Sequence, residues 1–291
     1  MRNLVLDGFY KALLSFINGV GKMLPASVLR RIADFPGVLK LLQSLSSNQL
    51  VEIKTPEGRD LLVNPLFHSN LCRSGSLLEY EPEMRKVLTA FTKPGMVAYD
   101  IGANVGVFSF LFESAVGADG IVYAFEPERN NYNCLEKSLE KDKNRNIILD
   151  KRAVGKSQGT EQFDRRGGAF SGRLIGDAHY NTTDNIETVE TVSVDYLVEE
   201  EGYRAPDIMK IDVEGNEGMV LEGMKNILTN FSPIIICELH THLGESGEKV
   251  IALLSSYGYR VSDLSSALNG SSANLTLSNV AAEIHVVAVK E

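Results

Sequence analysis

The 291 residues predict an α/β domain built on a mostly parallel sheet, on three observations. Short apolar runs alternate with helical stretches from about residue 96 onward, a glycine-containing turn joins the first run to its helix, and an acidic residue closes the next run. Such alternation builds right-handed βαβ units, because each crossover helix returns the chain to the same edge of the sheet. A hydrophobic content of 44% over this length fills a core without staples. Cys72, Cys134 and Cys237 are widely spaced and lack any CxxC or Cys/His pattern, so neither a disulfide framework nor a zinc site is expected. A reducing, cytoplasmic compartment is the expectation.

Taken in order, residues 2–24 place Leu6, Phe9, Leu13, Ile17, Val20 and Leu24 on one face of a helix that Pro25 ends. Short helical segments over 27–34 and 37–46 and the Ser46-Ser47-Asn48 cluster complete an N-terminal unit, 1–48, expected to serve as a cap, a homodimer contact or a docking element. Peripheral membrane contact through 1–24 is the alternative. Asp7, Lys11, Asn18 and Lys22 interrupt the apolar stretches, so no window reaches the roughly 20 apolar residues of a transmembrane span. No small-residue cleavage site follows them, so no secretory signal is expected. The net charge of −9 argues against a nucleic-acid partner, whose phosphates Lys and Arg must neutralise.

Residues 49–291 form the second unit. A hairpin comes first, Leu50 to Lys54 and Asp60 to Val63 around the Pro56-Glu57-Gly58 turn. A helix over 80–92 turns Met84, Val87, Leu88 and Phe91 inward and stops at Lys93-Pro94-Gly95. Then follow strand 96–101, helix 105–116, strand 120–125, helix 128–141 and strand 146–150. An insertion over about 155–195, rich in Gly, Arg, Thr and Asn, breaks the rhythm and ends in a strand-like Thr188 to Val194. The rhythm resumes with strand 207–212, helix 216–229, strand 233–239, helix 246–257, strand 258–263 and a final strand 283–289. There is no internal repeat.

Val97 to Gly106 reads as a buried strand, a turn and a helix start, which is the architecture of a cofactor loop. Gly102 permits the tight turn and Gly106 lets the helix pack near the strand. Asn104 and Val107 occupy the second and third glycine positions of the dinucleotide fingerprint, so NAD is disfavoured. The carboxylate of Asp100 suits a ligand bearing an ammonium or sulfonium charge rather than a pyrophosphate. Glu126 lies 20 residues after Gly106 at the next strand end, where a carboxylate can accept both hydroxyls of a ribose, and Pro127 is expected near the first turn of the following helix.

Three stretches, Asp100-Ile101-Gly102-Ala103-Asn104-Val105-Gly106, Phe125-Glu126-Pro127 and Lys210-Ile211-Asp212-Val213-Glu214-Gly215-Asn216-Glu217 followed by Gly223, together resemble the FkbM family of S-adenosylmethionine-dependent methyltransferases. The resemblance covers about 79–290 and implies a Rossmann-like class I methyltransferase sheet of seven strands, mostly parallel, with an antiparallel last strand inserted beside the fifth. It further implies S-adenosyl-L-methionine as cofactor and S-adenosyl-L-homocysteine as product. By similarity Asp100 and the Gly102, Ala103, Asn104, Gly106 loop would hold the methionine part, Glu126 beside Pro127 the ribose, and the turn Lys151-Arg152-Ala153-Val154 the adenine edge, with Asp212 near the methionine end. Hydroxyls of sugars, polyketides and other small metabolites are the acceptors it implies. N-methylation of an amine, or a nucleoside-binding protein without catalysis, are the alternatives.

Asp212 and Glu214 follow a strand at the carboxyl edge of the sheet, where open α/β sheets bind ligands. Glu238 and His240 end the neighbouring strand and share one face by its two-residue period. Asp212, Glu238 and His240 are therefore the candidate catalytic set, one of them taking the acceptor proton. Lys210, inside a buried strand, reads as a paired structural lysine. Asp212, Glu214, Glu238 and His240 also make an oxygen-rich set that a divalent metal such as Mg²⁺ fits, but a metal is not favoured, so no residue is assigned as a metal ligand.

Overall fold

The computed structural model describes residues 50–65, 67–68, 71–72, 77–141, 146–165, 172–175, 186–240, 247–270, 275 and 283–290. All of them belong to one compact unit, Leu50–Glu291. The N-terminal helices expected over 1–48 lie outside the described residues, as do His179 and His242.

The hairpin forms as expected, with β1 (Val51–Lys54) antiparallel to β2 (Asp60–Val63). Helix α1 (Pro82–Phe91) carries Pro82 in its first turn, where the missing N–H costs nothing, and buries Met84, Val87 and Leu88. The main sheet then assembles from β3 (Val97–Ile101), β4 (Ile121–Phe125), β5 (Ile147–Asp150), β10 (Ile208–Ile211), β11 (Ile234–His240), β12 (Tyr259–Asp263) and β13 (Glu283–Lys290). Between them run α2 (Val107–Val116), α3 (Arg129–Glu140), α4 (Val194–Glu199), α5 (Glu217–Glu222), α6 (Lys225–Asn230), α7 (Gly247–Ser256) and α8 (Leu264–Leu268).

The seven strands lie in the order β12-β13-β11-β10-β3-β4-β5. All neighbouring pairs are parallel except those of β13, which is antiparallel to both β11 and β12. This is the class I methyltransferase arrangement, and each of its strands falls within about a residue of its sequence expectation. The central strand β3 is buried at all five positions because helices cover both faces. One core cluster packs α1, α2, α3 and the hairpin on one face, with Phe110 and Phe112 fully buried. The other packs α4 to α7 on the opposite face around Leu221, Leu228 and Leu254. Each such side chain contributes about 1.5–3 kcal/mol of transfer free energy.

Two expectations are corrected. The helix read over 216–229 is two helices, α5 and α6, separated at Gly223 and Met224; Gly223 packs so closely on the Gly155 carbonyl oxygen that a Cβ there would stand 2.1 Å from it. The insertion is a second sheet of β6 (Ala153–Val154), β7 (Gly159–Asp164), β8 (Arg173–Ile175) and β9 (Ile186–Val192), ordered β6-β9-β7-β8. Strand β9 ends at Val192, where Ser193 caps α4 by accepting the Tyr196 N–H.

Candidate active site

The sheet order reverses between β3 and β10, and side chains from the carboxyl ends of both strands meet at that crevice. The floor is the β3–α2 turn. Its N–H groups at Gly102 and Ala103 donate to the Phe125 carbonyl, which ties it to the end of β4. Gly102 takes φ +79°, and a Cβ on it would fall 1.8 Å from the Asp212 carbonyl oxygen, so only glycine lets β3 and β10 leave the sheet side by side. Asn104 holds φ +53°, and Gly106 would meet Leu135 if it carried a Cβ.

Glu126 projects from the end of β4 into the same cleft. One carboxylate oxygen accepts the Asn104 N–H at 2.7 Å and the other the Glu128 N–H at 2.8 Å, and the Asn131 side chain donates to the carboxylate as well. Burial pushes the carboxyl up to about 8, against the pull of those two N–H donors. Pro127 lies before α3 rather than in its first turn; Glu128 is the cap, accepting the Asn131 N–H.

Of the residues assigned to cofactor binding, Gly102, Asn104, Glu126, Pro127, Ala153 and Asp212 line the cleft. The other four do not. Asp100 is fully buried beneath it, accepting the Ser109 hydroxyl and standing opposite Lys210 in the sheet register. Burial raises its carboxyl despite the Lys210 charge. Ala103 and Gly106 shape the turn through backbone contacts, the Gly106 N–H donating to the Ala103 carbonyl. Arg152 is engaged in a fork to Asp150 and Glu201. Val154, in the turn expected at the adenine edge, lines the cleft too, and Phe163, Gly172 and Leu174 extend that wall from the insertion, which sequence reasoning missed because it carried no legible period.

The catalytic candidates do converge. Asp212, Glu238 and His240 each bring a polar atom to within 4.8 Å of the others. Lys210, almost fully buried, pairs with Asp212 at 2.9 Å and lies over the Phe108 ring. His240 Nδ1 is 2.8 Å from Glu217, while Nε2 faces Glu214 at 3.4 Å and Glu238 at 3.7 Å. Burial opposes its charge, but the Glu217 hydrogen bond and the Glu214 carboxylate outweigh it and push the imidazole up to about 9. Glu214, held at φ +55° in the cleft wall, is pushed up to about 7 by burial against the attraction of His240.

Two further groups sit at Glu238 that the sequence did not single out. His285, opposite Glu238 in the β11–β13 register, approaches it at 3.2 Å, and Glu81 reaches His285 at 3.9 Å. Burial opposes the Glu238 charge, yet His285 and Lys210 hold its carboxyl below the usual range. Glu81, His285 and Glu238 also form a cluster of metal-ligating types, as do Asp212, Glu238 and His240.

The sequence model described as the methyltransferase FkbM domain matches residues 100–261, more than half of the chain. Among characterised relatives, the hexuronic acid methyltransferase AglP of Haloferax volcanii is 28% identical over 178 residues, covering 61% of this chain and 69% of that protein. The 31-O-demethyl-FK506 methyltransferase FkbM of Streptomyces tacrolimicus is 27% identical over 197 residues, covering 58% of this chain and 74% of that protein.

Proposed function

The chain belongs to the FkbM methyltransferase family, and from that premise we propose that it transfers the methyl group of S-adenosyl-L-methionine to a hydroxyl on a sugar or another small-molecule metabolite. The observation that carries this reading is the adjacency of two chemistries at one sheet edge: the Gly102–Glu126 cleft, and beside it the Asp212, Glu238, His240 cluster.

The cleft fits the cofactor. Glu126 lines the cleft where a vicinal diol would lie, Gly102 leaves backbone room, and Ala153, Val154, Phe163 and Leu174 offer apolar surface for a base. Asp212 and Glu214 line the cleft where a cation would lie, Asp212 paired with Lys210 and Glu214 facing His240. Bound S-adenosyl-L-methionine supplies an activated sulfonium methyl, so the chain's larger task is alignment. As the acceptor oxygen forms its bond to the methyl carbon and the carbon–sulfur bond breaks, the hydroxyl proton must leave. Glu238, its carboxyl ionised at neutral pH, takes it; His240, an imidazolium there, holds Glu214 and Glu238 in place. A hydroxyl acceptor is in keeping with the 31-O position named for one relative, and a sugar acceptor with the hexuronic acid named for the other.

A panel of glycosides, hexuronic acids, polyols and amines, read by release of S-adenosyl-L-homocysteine, tests the proposal. Turnover on amines alone would transfer the reading to N-methylation. Cofactor binding without turnover on any acceptor would leave a nucleoside-binding protein. Under the proton-transfer reading a chelator leaves turnover unchanged. Loss with a chelator and recovery with Mg²⁺ would instead assign the Asp212, Glu238, His240 set to a metal.

Glu126→Ala should weaken S-adenosyl-L-homocysteine binding by about 1–3 kcal/mol in calorimetry, the worth of hydrogen bonds to a charged group, and NAD should not compete. The wild-type affinity should also depend on pH. The Glu126 carboxyl is raised, so the acid form predominates below about 8, and only the carboxylate accepts two hydroxyls. Affinity is therefore expected to rise between pH 6.5 and 9, and a flat profile would contradict the ribose assignment.

A further inference from the structure

His68 lies in the segment after β2, outside residues 100–261, and is fully buried. Its Nδ1 stands 3.1 Å from both the Asn64 N–H and the Asn64 carbonyl oxygen, and its Nε2 stands 2.9 Å from Asn131 Oδ1. Burial lowers its basicity, so the ring is neutral near pH 7. Because Asn131 Oδ1 can only accept, the single ring proton of the neutral ring is on Nε2 and is donated to it, which leaves Nδ1 to accept the Asn64 N–H. That contact fixes which way the Asn131 amide faces. Its oxygen is turned to His68 and its N–H₂ to Glu126, to which the side chain donates. Asn131 itself lines the cleft and is almost fully buried.

The segment bearing His68 is tethered to the helices on this face. The Leu62 N–H donates to Ser138 on α3, Lys141 pairs with Glu52, and Arg59 pairs with Glu113 on α2 at 3.1 Å. A histidine there is more than filling: a buried apolar side chain would occupy the volume without the cost of burying two ring nitrogens. The chain from Asn64 through His68 and Asn131 to Glu126 leads from the hairpin to the carboxylate that faces the cleft.

We propose that His68 is a positioning residue for the cofactor: through Asn131 it orients the Glu126 carboxylate so that both of its oxygens face the ribose diol. This rests on the assignment of Glu126 to the diol. The other charges facing this group are Glu128, which also lies near His68, and Arg165, which pairs with Glu128 at 2.9 Å. Neither is altered by changing His68.

The test uses the full chain, S-adenosyl-L-homocysteine as probe, calorimetry from pH 6 to 9 and a thermal scan of each variant. His68→Phe fills the volume without the donor and should weaken binding about tenfold at pH 7. It should also move the rise of affinity to higher pH, because Asn131 no longer favours the charged carboxylate. His68→Gln, which can place an amide N–H near the position of Nε2, should recover most of the affinity. In an Asn131→Ala background His68→Phe should add nothing, as expected of two groups acting in series. Wild-type affinity and pH profile in a folded but less stable His68→Phe protein would reduce His68 to packing and overturn the proposal. So would losses that simply add in the double variant. If Glu126→Gln binds like the wild type, the diol assignment itself fails, and that result is distinct from a failure of His68 alone.

Discussion

Gly102→Ala is expected to abolish measurable S-adenosyl-L-homocysteine binding, while Gly58→Ala leaves it unchanged. Both glycines hold φ +79°, so alanine meets the same backbone penalty at each, on the order of 1–2 kcal/mol. They differ in what the new methyl would touch. At Gly58 nothing lies within 4 Å, whereas at Gly102 the methyl would overlap the Asp212 carbonyl at 1.8 Å. That oxygen belongs to the backbone at the exit of β10 and cannot swing away as a side-chain tip can. The strand ends must part, which breaks the hydrogen bond from the Asp212 N–H to the Ile101 carbonyl and displaces Asn104, the donor to Glu126. Overpacking of this kind costs about 1–3 kcal/mol beyond the backbone term. A drop in melting temperature on the order of 10 °C should therefore accompany the lost binding. Retained affinity in Gly102→Ala would mean that the cofactor does not use this turn.

Glu238→Gln is expected to lower turnover on the true acceptor by about 10²–10⁴-fold, the usual worth of a positioned base, with cofactor affinity held within a few-fold. The substitution keeps shape and removes the charge, and Glu238 does not line the Gly102–Glu126 cleft. His240→Ala should cost turnover on the same order, but it also strands the buried Glu217 carboxylate, whose partner it removes at 2.8 Å. Breaking such a pair is worth about 3–5 kcal/mol of stability, so His240→Ala is read together with its melting curve. Asp212→Asn should harm binding and turnover together, since Asp212 both lines the cleft and pairs with Lys210. Normal turnover in all three single variants would leave alignment alone as the mechanism.

How far these residues were legible follows from how each is held. The β3 turn, Glu126 and Asp212 were readable because glycine and a strand-end acid stand at fixed offsets from apolar runs. The convergence of Glu238 and His240 with Asp212 was readable from the two-residue period of β11 and its adjacency to β10. His285 was not, because its place beside Glu238 depends on the antiparallel register of β13, a pairing 47 residues away in sequence that no local pattern encodes. Glu81 was hidden for another reason: it precedes Pro82 with φ +43°, a conformation uncommon for residues other than glycine. The small sheet escaped because β7 is a largely polar strand without clean alternation and β8 is only three residues long. The break at Gly223 and Met224 comes with a contact to Gly155, 68 residues before Gly223 in the chain.

The insertion of β13 between β11 and β12 has a consequence for how the chain is made. A polypeptide leaves the ribosome amino end first, and six of the seven main strands emerge before this one. Until it arrives, β11 presents an open hydrogen-bonding edge with Ile235, Ile236 and Cys237, and β12 has no neighbour in the sheet at all. A nascent chain at that stage exposes an adhesive edge of the kind finished proteins avoid. Emergence of β13 from the exit tunnel, rather than synthesis of the cofactor turn, is then the event that completes the sheet. Val286, Val287 and Ala288 are withdrawn from solvent at that step, and His285 is delivered to Glu238 with them.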